Sequence, residues 1–464
     1  MIIDKDTLGI LSRAIERLDQ GFSNLPEIAA GQNDAALAAM ERVLLEAAAR
    51  MQDNYPYMHP YYAGQMLKPP HPVARLAYSL ALFINPNNHA LDGGIASSAM
   101  EKECVAEIAR MFGFESHLGH LTSGGTMANL EAIWVASQLR PGKLIVASKQ
   151  AHYTHSRITG VLGVPYAGVE VDDKGCMDLQ HLEQLLIHGQ DGKQVGTVVV
   201  TLGTTSIGSV DPLPEILALR KKYDFRIHID SAYGGYFKLV DNLDADAAAA
   251  YAAIDQADSI VVDPHKHGLQ PYGCGCVIFK DPACGALYKH DSPYTYFSSD
   301  QLHLGEISLE CSRAGASAVA LWATQQLLPL VRGGEFAQGL SKSRQAAIAF
   351  YKRLSEDRRF VAPLMPQLDI VVYAVKARSA STSSRLAKEV FEAAAAQNLH
   401  LALAGLPRSL FARSQFEGGD FDWDQENITC LRSCLMKPEH LSYLDEVWLL
   451  LGKATDLCLA EVNV

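Results

Sequence analysis

The middle of the chain alternates between short apolar runs rich in β-branched residues and longer stretches with apolar positions at helical spacing. Residues 144–146, 195–201, 227–230, 259–262 and 276–279 predict strands. Residues 127–139 and 179–187 predict helices between several of them. Strands alternating with helices predict an α/β fold with a mostly parallel sheet covered on both faces. The triplet Asp211-Pro212-Leu213 predicts a helix start, with Asp211 as the cap and Pro212 in the first turn.

The flanking regions read differently. Leu37, Met40, Leu44 and Ala47 fall on one face of a predicted helix. Residues 55–72 hold five prolines and four tyrosines and predict a loop or arm. Towards the C-terminus, 369–375 and 427–431 predict strands, and 384–395 and 438–452 predict helices. The expected organisation is an N-terminal helical and arm segment over 1–85, a large α/β domain over 86–335, and a smaller α+β domain over 336–464.

Composition narrows the function. The chain has 464 residues, 48% hydrophobic and 20% charged, with a net charge of -12. It has no basic stripe, which argues against nucleic acid as a partner. No apolar run reaches the length of a membrane span, and the charged N-terminus has no signal-peptide core, so a cytoplasmic protein away from membranes is expected. Nine scattered cysteines match no zinc spacing, so no metal site is expected and the thiols read as reduced and buried.

Chemistry concentrates at four predicted strand ends, where open α/β sheets bind ligands. Thr122-Ser123-Gly124-Gly125-Thr126 leads into a helix, and its small residues let backbone N–H groups approach an anion. Thr201-Leu202-Gly203-Thr204-Thr205 brings hydroxyls that either line a pocket or cap the next element. Asp230 ends an apolar strand. A desolvated carboxylate there needs a partner, either a cationic ring nitrogen or a cap. Lys266, between His265 and His267, is placed as a nucleophile or imine former, activated by burial and cationic neighbours. His152, between the first and third of these segments, either stacks on a flat ring or packs as an ordinary histidine.

Taken in order, the segments resemble those of the pyridoxal-phosphate-dependent group II amino-acid decarboxylases. The matching stretches are HPYYAG at 59–64, TSGGTMAN at 122–129, SKQAHYTHSR at 148–157, TLGTTSIGSVD at 201–211, HIDSAYGG at 228–235, DPHKHGL at 263–269 and LRSCLMKP at 431–438. The resemblance implies the fold-type I transferase fold, similar to aspartate aminotransferase. It also implies pyridoxal 5'-phosphate as cofactor and a homodimer with active sites at the interface. Gly125 and Thr126 are then expected to cradle the phosphate, and His152 to cover the ring. Ala232 would pack beside the ring, and Asp230 would face its nitrogen. Thr201 and His265 would contact cofactor, and Lys266 would carry it as a Schiff base. His267 and Met127 depart from residues common in relatives, which bears on subfamily and substrate.

The implied reaction is decarboxylation of an L-amino acid to an amine and carbon dioxide, with an aromatic (tyrosine-like) or acidic (aspartate or glutamate) substrate. Tyr294, with Tyr296 as second choice, matches the loop tyrosine that reprotonates the substrate. Tyr61 and Tyr62 either line the substrate side or pack. Arg313 either binds a carboxylate or phosphate, or pairs structurally. The alternatives are a pyridoxal-phosphate carbon–carbon lyase resembling sphingosine-phosphate lyase, an aminotransferase, and a silent cofactor-binding homologue.

Overall fold

The computed structural model of the protein describes residues 5–26, 34–289, 302–411, 416 and 421–462. The chain opens with helices α1 (Lys5–Gln20), α2 (Asp34–Met51), α3 (Pro72–Leu82) and α4 (Ile95–Phe112). A seven-stranded sheet follows, built from β1 (Leu118–Thr122), β2 (Leu144–Ser148), β3 (Tyr166–Val169), β4 (Val195–Thr201), β5 (Arg226–Asp230), β6 (Ser259–Val262) and β7 (Gly275–Phe279). Their order is β1-β7-β6-β5-β4-β2-β3. Only β7 runs against its neighbours. Between these strands lie α5 (Gly125–Leu139), α6 (Thr154–Leu162), α7 (Leu179–His188), α8 (Leu213–Arg220) and α9 (Ala245–Ala252).

All seven residues of β4 are buried, the signature of a strand covered on both faces. That is why it reads as a continuous apolar run. β1 and β3 escaped the pattern for physical reasons. β1 carries a buried His120, which is satisfied by Glu131 of α5 at 2.9 Å. β3 is a four-residue edge strand with alternating burial.

After α10 (Gly315–Leu327) and α11 (Glu335–Glu356) comes a four-stranded antiparallel sheet. It comprises β8 (Phe360–Val361), β9 (Ile370–Val375), β10 (Ala402–Pro407) and β11 (Asn427–Cys434), ordered β10-β11-β9-β8. Helix α12 (Ala380–Ala395) packs on β9 and β11, and α13 (Leu444–Val462) packs on α12. One buried apolar cluster runs from Val198 and Ile229 of the large sheet to Ile370 and Val372 of the small one. The small sheet is thereby braced against the large one. Among the described residues no helix is long and apolar enough to cross a membrane.

Two local expectations need correction. Asp211 does not cap α8, whose N-cap is Pro212 without a side-chain bond. Its carboxylate instead accepts hydrogen bonds from the Thr201 and Met177 amides, both at 2.8 Å. Burial pushes this carboxyl up to about 7, against the pull of those two bonds. The expected helix over 438–452 is interrupted: a short 3-10 turn at Pro438–Leu441 precedes α13.

Candidate active site

The parallel strands β1, β2, β4, β5 and β6 point their C-terminal ends at one cavity of about 330 Å³, within the range of small-ligand sites. Gly125, Thr126, His152, Thr201, Asp230, Ala232, His265 and Lys266 all line it. Tyr294 and Tyr296 lie outside the described residues.

The β1–α5 turn makes one wall. Gly124 has φ +150°, which a side chain resists. A Cβ on Gly125 would sit 2.6 Å from an Asp263 carboxylate oxygen. Among the described residues no side chain caps α5, so its first N–H groups stay available at the positive end of the helix dipole.

Asp230 ends β5, nearly fully buried. His155 Nε2 lies 2.8 Å from its Oδ2, and the Ala232 amide donates to Oδ1 at 3.1 Å. Burial alone would raise this carboxyl. The His155 contact, the Ala232 amide and the charge of Lys266 outweigh it and hold Asp230 well below the usual carboxylate range. His155 is fully buried at the start of α6 and was missed in the sequence. The available signal was a second histidine in SKQAHYTHSR, near a buried carboxylate that needed a donor.

Lys266 stands on the turn after β6. The group in contact with its ammonium is a carboxylate, Asp263 Oδ2 at 3.1 Å, rather than the cationic neighbours expected. The flanking histidines have other partners. His265 Nδ1 meets the Cys274 carbonyl at 2.8 Å, and its ring leans on Tyr272 at 4.7 Å. His267 faces Asp369, 3.3 Å away. Burial lowers His265 below the ordinary imidazole range, and does the same to His152. Asp263, Tyr233, Tyr272, Asn129 and Thr154 are among the lining residues that sequence reasoning left without a role.

Other candidates sit elsewhere. Arg313 is buried and donates to Glu101, to the Leu121 carbonyl and to the Asn88 carbonyl at 2.7, 2.8 and 3.0 Å. Structural pairing is therefore its role. Tyr61 and Tyr62 do not line the cavity. Tyr62 packs edge-on to Tyr57 at 4.9 Å, and Tyr61 against His59 at 4.5 Å. Arg432 of β11 donates to the Thr205 and Ser206 carbonyls, tying the small sheet to the cavity's Thr205 wall.

These features fit pyridoxal phosphate. The uncapped α5 N-terminus suits a phosphate. Thr201 Oγ1 is buried with no partner among the described residues and needs a hydrogen-bonding group. Asp230 is held as an anion, as a protonated pyridine nitrogen requires. The fold is that of the fold-type I pyridoxal-phosphate class, and the residues of the cavity fit that cofactor.

The chain belongs to the pyridoxal-dependent decarboxylases: the family's conserved domain matches residues 51–376. It is 27% identical over 390 residues to an L-tyrosine decarboxylase of Enterococcus faecium, covering 64% of each chain. It is 28% identical over 263 residues to a probable L-tyrosine/L-aspartate decarboxylase of Methanothermobacter thermautotrophicus, covering 56% of this chain and 69% of that one. The chain spans 64–67% of the length of the bacterial tyrosine decarboxylases it matches. The structure of Oryza sativa TDC with PLP and tryptamine superposes with a TM-score of 0.77 at 16% identity, covering 98% of both chains.

Proposed function

We propose that this protein is a pyridoxal-phosphate-dependent carboxy-lyase that converts an L-amino acid to its amine and carbon dioxide. An aromatic amino acid such as tyrosine is the first substrate to test, and aspartate or glutamate the second. The observation that carries the reading is that Lys266 and an ionised Asp230 line one cavity with an uncapped helix N-terminus. The relatives named for tyrosine and aspartate decarboxylation support the substrate choice.

Bound pyridoxal phosphate supplies the electron sink that accepts the pair left at Cα when a bond there breaks. The chain's own residues do the rest. Lys266 Nζ is the amine that would hold the cofactor covalently. Asp230, kept ionised by His155, holds the proton on the ring nitrogen. His152 and Ala232 would cover the ring. The Gly125 and Thr126 amides would hold the phosphate, with Thr201 Oγ1 and His265 as further polar contacts. Residues that fix the substrate's orientation in this way would select which bond at Cα breaks. The Tyr294 hydroxyl is assigned as the donor that returns a proton to the substrate's Cα, with Tyr296 as second choice.

We further propose a cytoplasmic homodimer with the division 1–85, 86–335 and 336–464. The dimer is supported by α2, an 18-residue helix with no buried residue whose Leu37, Met40, Leu44 and Met51 fall on one side and are exposed. An exposed apolar stripe of this kind calls for a covering partner. All nine cysteines are free thiols, which suits a reducing compartment.

The test is an L-amino-acid panel with purified, cofactor-loaded protein, reading carbon dioxide and amine against aldehyde and keto acid. Tyrosine giving tyramine with equal carbon dioxide is the expected result. Aldehyde release without carbon dioxide would overturn decarboxylation in favour of a carbon–carbon lyase. Tyr294→Phe is expected to lose amine formation while keeping cofactor, and undiminished turnover would remove that assignment.

A further inference from the structure

Lys266 and His267 are neighbours, yet they face different spaces. Lys266 lines the active-site cavity, whereas His267 lines a second cavity of about 370 Å³ together with Lys68 and Lys437. The turn that carries the lysine is thus a partition between two cavities. It is also strained: Leu269, two residues beyond His267, has φ +62°, a conformation that a bulky residue adopts only when its surroundings impose it.

Asp369 lies directly behind this turn. It immediately precedes β9 of the small sheet and is fully buried, and its carbonyl accepts from the Leu435 amide at 2.8 Å. The two carboxylate oxygens diverge, one towards a residue of the active-site wall and one towards the turn that carries Lys266. Tyr233, which lines the active-site cavity, donates its hydroxyl to Oδ1 at 2.6 Å. His267 Nε2 faces Oδ2 at 3.3 Å, a contact not aligned as a hydrogen bond. Neither of those two atoms has a hydrogen-bond partner elsewhere among the described residues. The Tyr233 and His267 rings meet edge to face at 4.7 Å. A buried carboxylate is a costly choice at a position that only has to fill space. This one converges on the segment after Asp230 and on the residue after Lys266.

We propose that Asp369 is a positioning residue through which the small sheet, by way of Tyr233 and His267, sets the angle at which Lys266 and the Asp230 loop meet the cofactor. The inference rests on the pyridoxal reading of the cavity. Small displacements of reacting groups cost large factors in rate, so removing this brace acts on turnover more than on binding. Burial keeps His267 neutral, helped by the charges of Lys68 and Lys266. A neutral imidazole presents a single N–H, and Oδ2 is the buried acceptor facing Nε2.

The experiment compares full-length parent with Asp369→Asn, Tyr233→Phe and His267→Gln. Two quantities are read: the visible absorption and circular dichroism of bound cofactor, and kcat and KM per cofactor-loaded site. We expect all three variants to bind cofactor with an altered spectrum. In Asp369→Asn, kcat should fall about tenfold with KM within about twofold. The double variant Asp369→Asn/Tyr233→Phe should be no slower than Asp369→Asn alone, because both act through one contact. Unchanged spectra and unchanged kcat per loaded site would overturn the proposal. If Asp369→Asn does not fold, the two single-arm variants decide it by the same readings. A parent that takes up no cofactor would remove the underlying reading of the cavity. Identical spectra and rates among loaded proteins would remove only this inference.

Discussion

Two buried aspartates stand at strand ends in this molecule, and their surroundings drive them in opposite directions. Asp230, at the end of β5, is held far below the ordinary carboxylate range. Asp369, just before β9, is pushed up to about 6 by burial, with Tyr233 and Lys68 opposing only part of that. Both are desolvated. The difference lies in what faces them: Asp230 meets an imidazole at hydrogen-bond distance, a backbone amide and the charge of Lys266, whereas Asp369 has one phenol in proper alignment. Burial therefore does not decide what a carboxylate is for. Its donors do.

Lys266→Ala tests this contrast most severely, because the lysine's charge acts on both Asp230 and His267. Turnover should fall by at least about 10⁴-fold, and borohydride should no longer fix cofactor to the chain. A label on another lysine in the parent would break the assignment. Asp230→Asn should cost about 10²–10³-fold in kcat while cofactor remains bound. A rate near the parent's would mean that the ionised state of Asp230 does not matter to the reaction.

Asp369→Asn sharpens the comparison through stability. The folded Asp369 titrates above its ordinary value of 3.8. Its contribution to stability is thus fully present below about pH 4 and is lost as pH rises through 6, a swing of about 3 kcal/mol. The difference in urea stability between pH 4 and pH 7.5 should be about 3 kcal/mol smaller in Asp369→Asn than in the parent, the part contributed by buried Asp211 remaining in both. Asp230 has the opposite sign. Its contribution is present above its ordinary value of 3.8 and is lost as pH falls towards its lower folded value.

His155→Phe should cost about 2 kcal/mol at neutral pH by leaving Asp230 short of a donor, and should weaken the loss on the acid side. An unchanged urea midpoint would show that the Ala232 amide and Lys266 suffice. The smallest effect belongs to Thr201→Val, which removes an orphaned hydroxyl. Cofactor binding should weaken about threefold, and equal affinity by equilibrium titration would strike Thr201 from the cofactor contacts.

Much of the scaffold was legible in the chain. The buried strands β4, β6 and β7 announce themselves as apolar runs, because a strand covered on both faces has no polar side to show; β5 instead alternates, with His228 and Asp230 buried beside Ile227 and Ile229. The ligand end was legible as well: strand-terminal Asp230 and Lys266 and the glycine turn before α5 are local features. His155 was less so, since its importance lies in a 2.8 Å contact with a residue far along the chain. Asp211 misled, because Asp-Pro reads locally as a cap while its carboxylate is used by two distant amides. Arg313 read as a candidate ligand group, until its three structural acceptors appeared.

The sequence by itself determined the α/β class, the parallel sheet, the chemistry gathered at its strand ends and the resemblance to pyridoxal decarboxylases. These depend on residue type, local spacing and order along the chain. Only the tertiary structure decided that Asp263 rather than a histidine meets Lys266, that His155 holds Asp230, and that Asp369 of the small sheet stands behind the lysine turn. Each of these is a contact between residues on different segments or a matter of which way a side chain turns. The charge state of a buried group follows from such neighbours, which the packed core brings together and the linear order does not record.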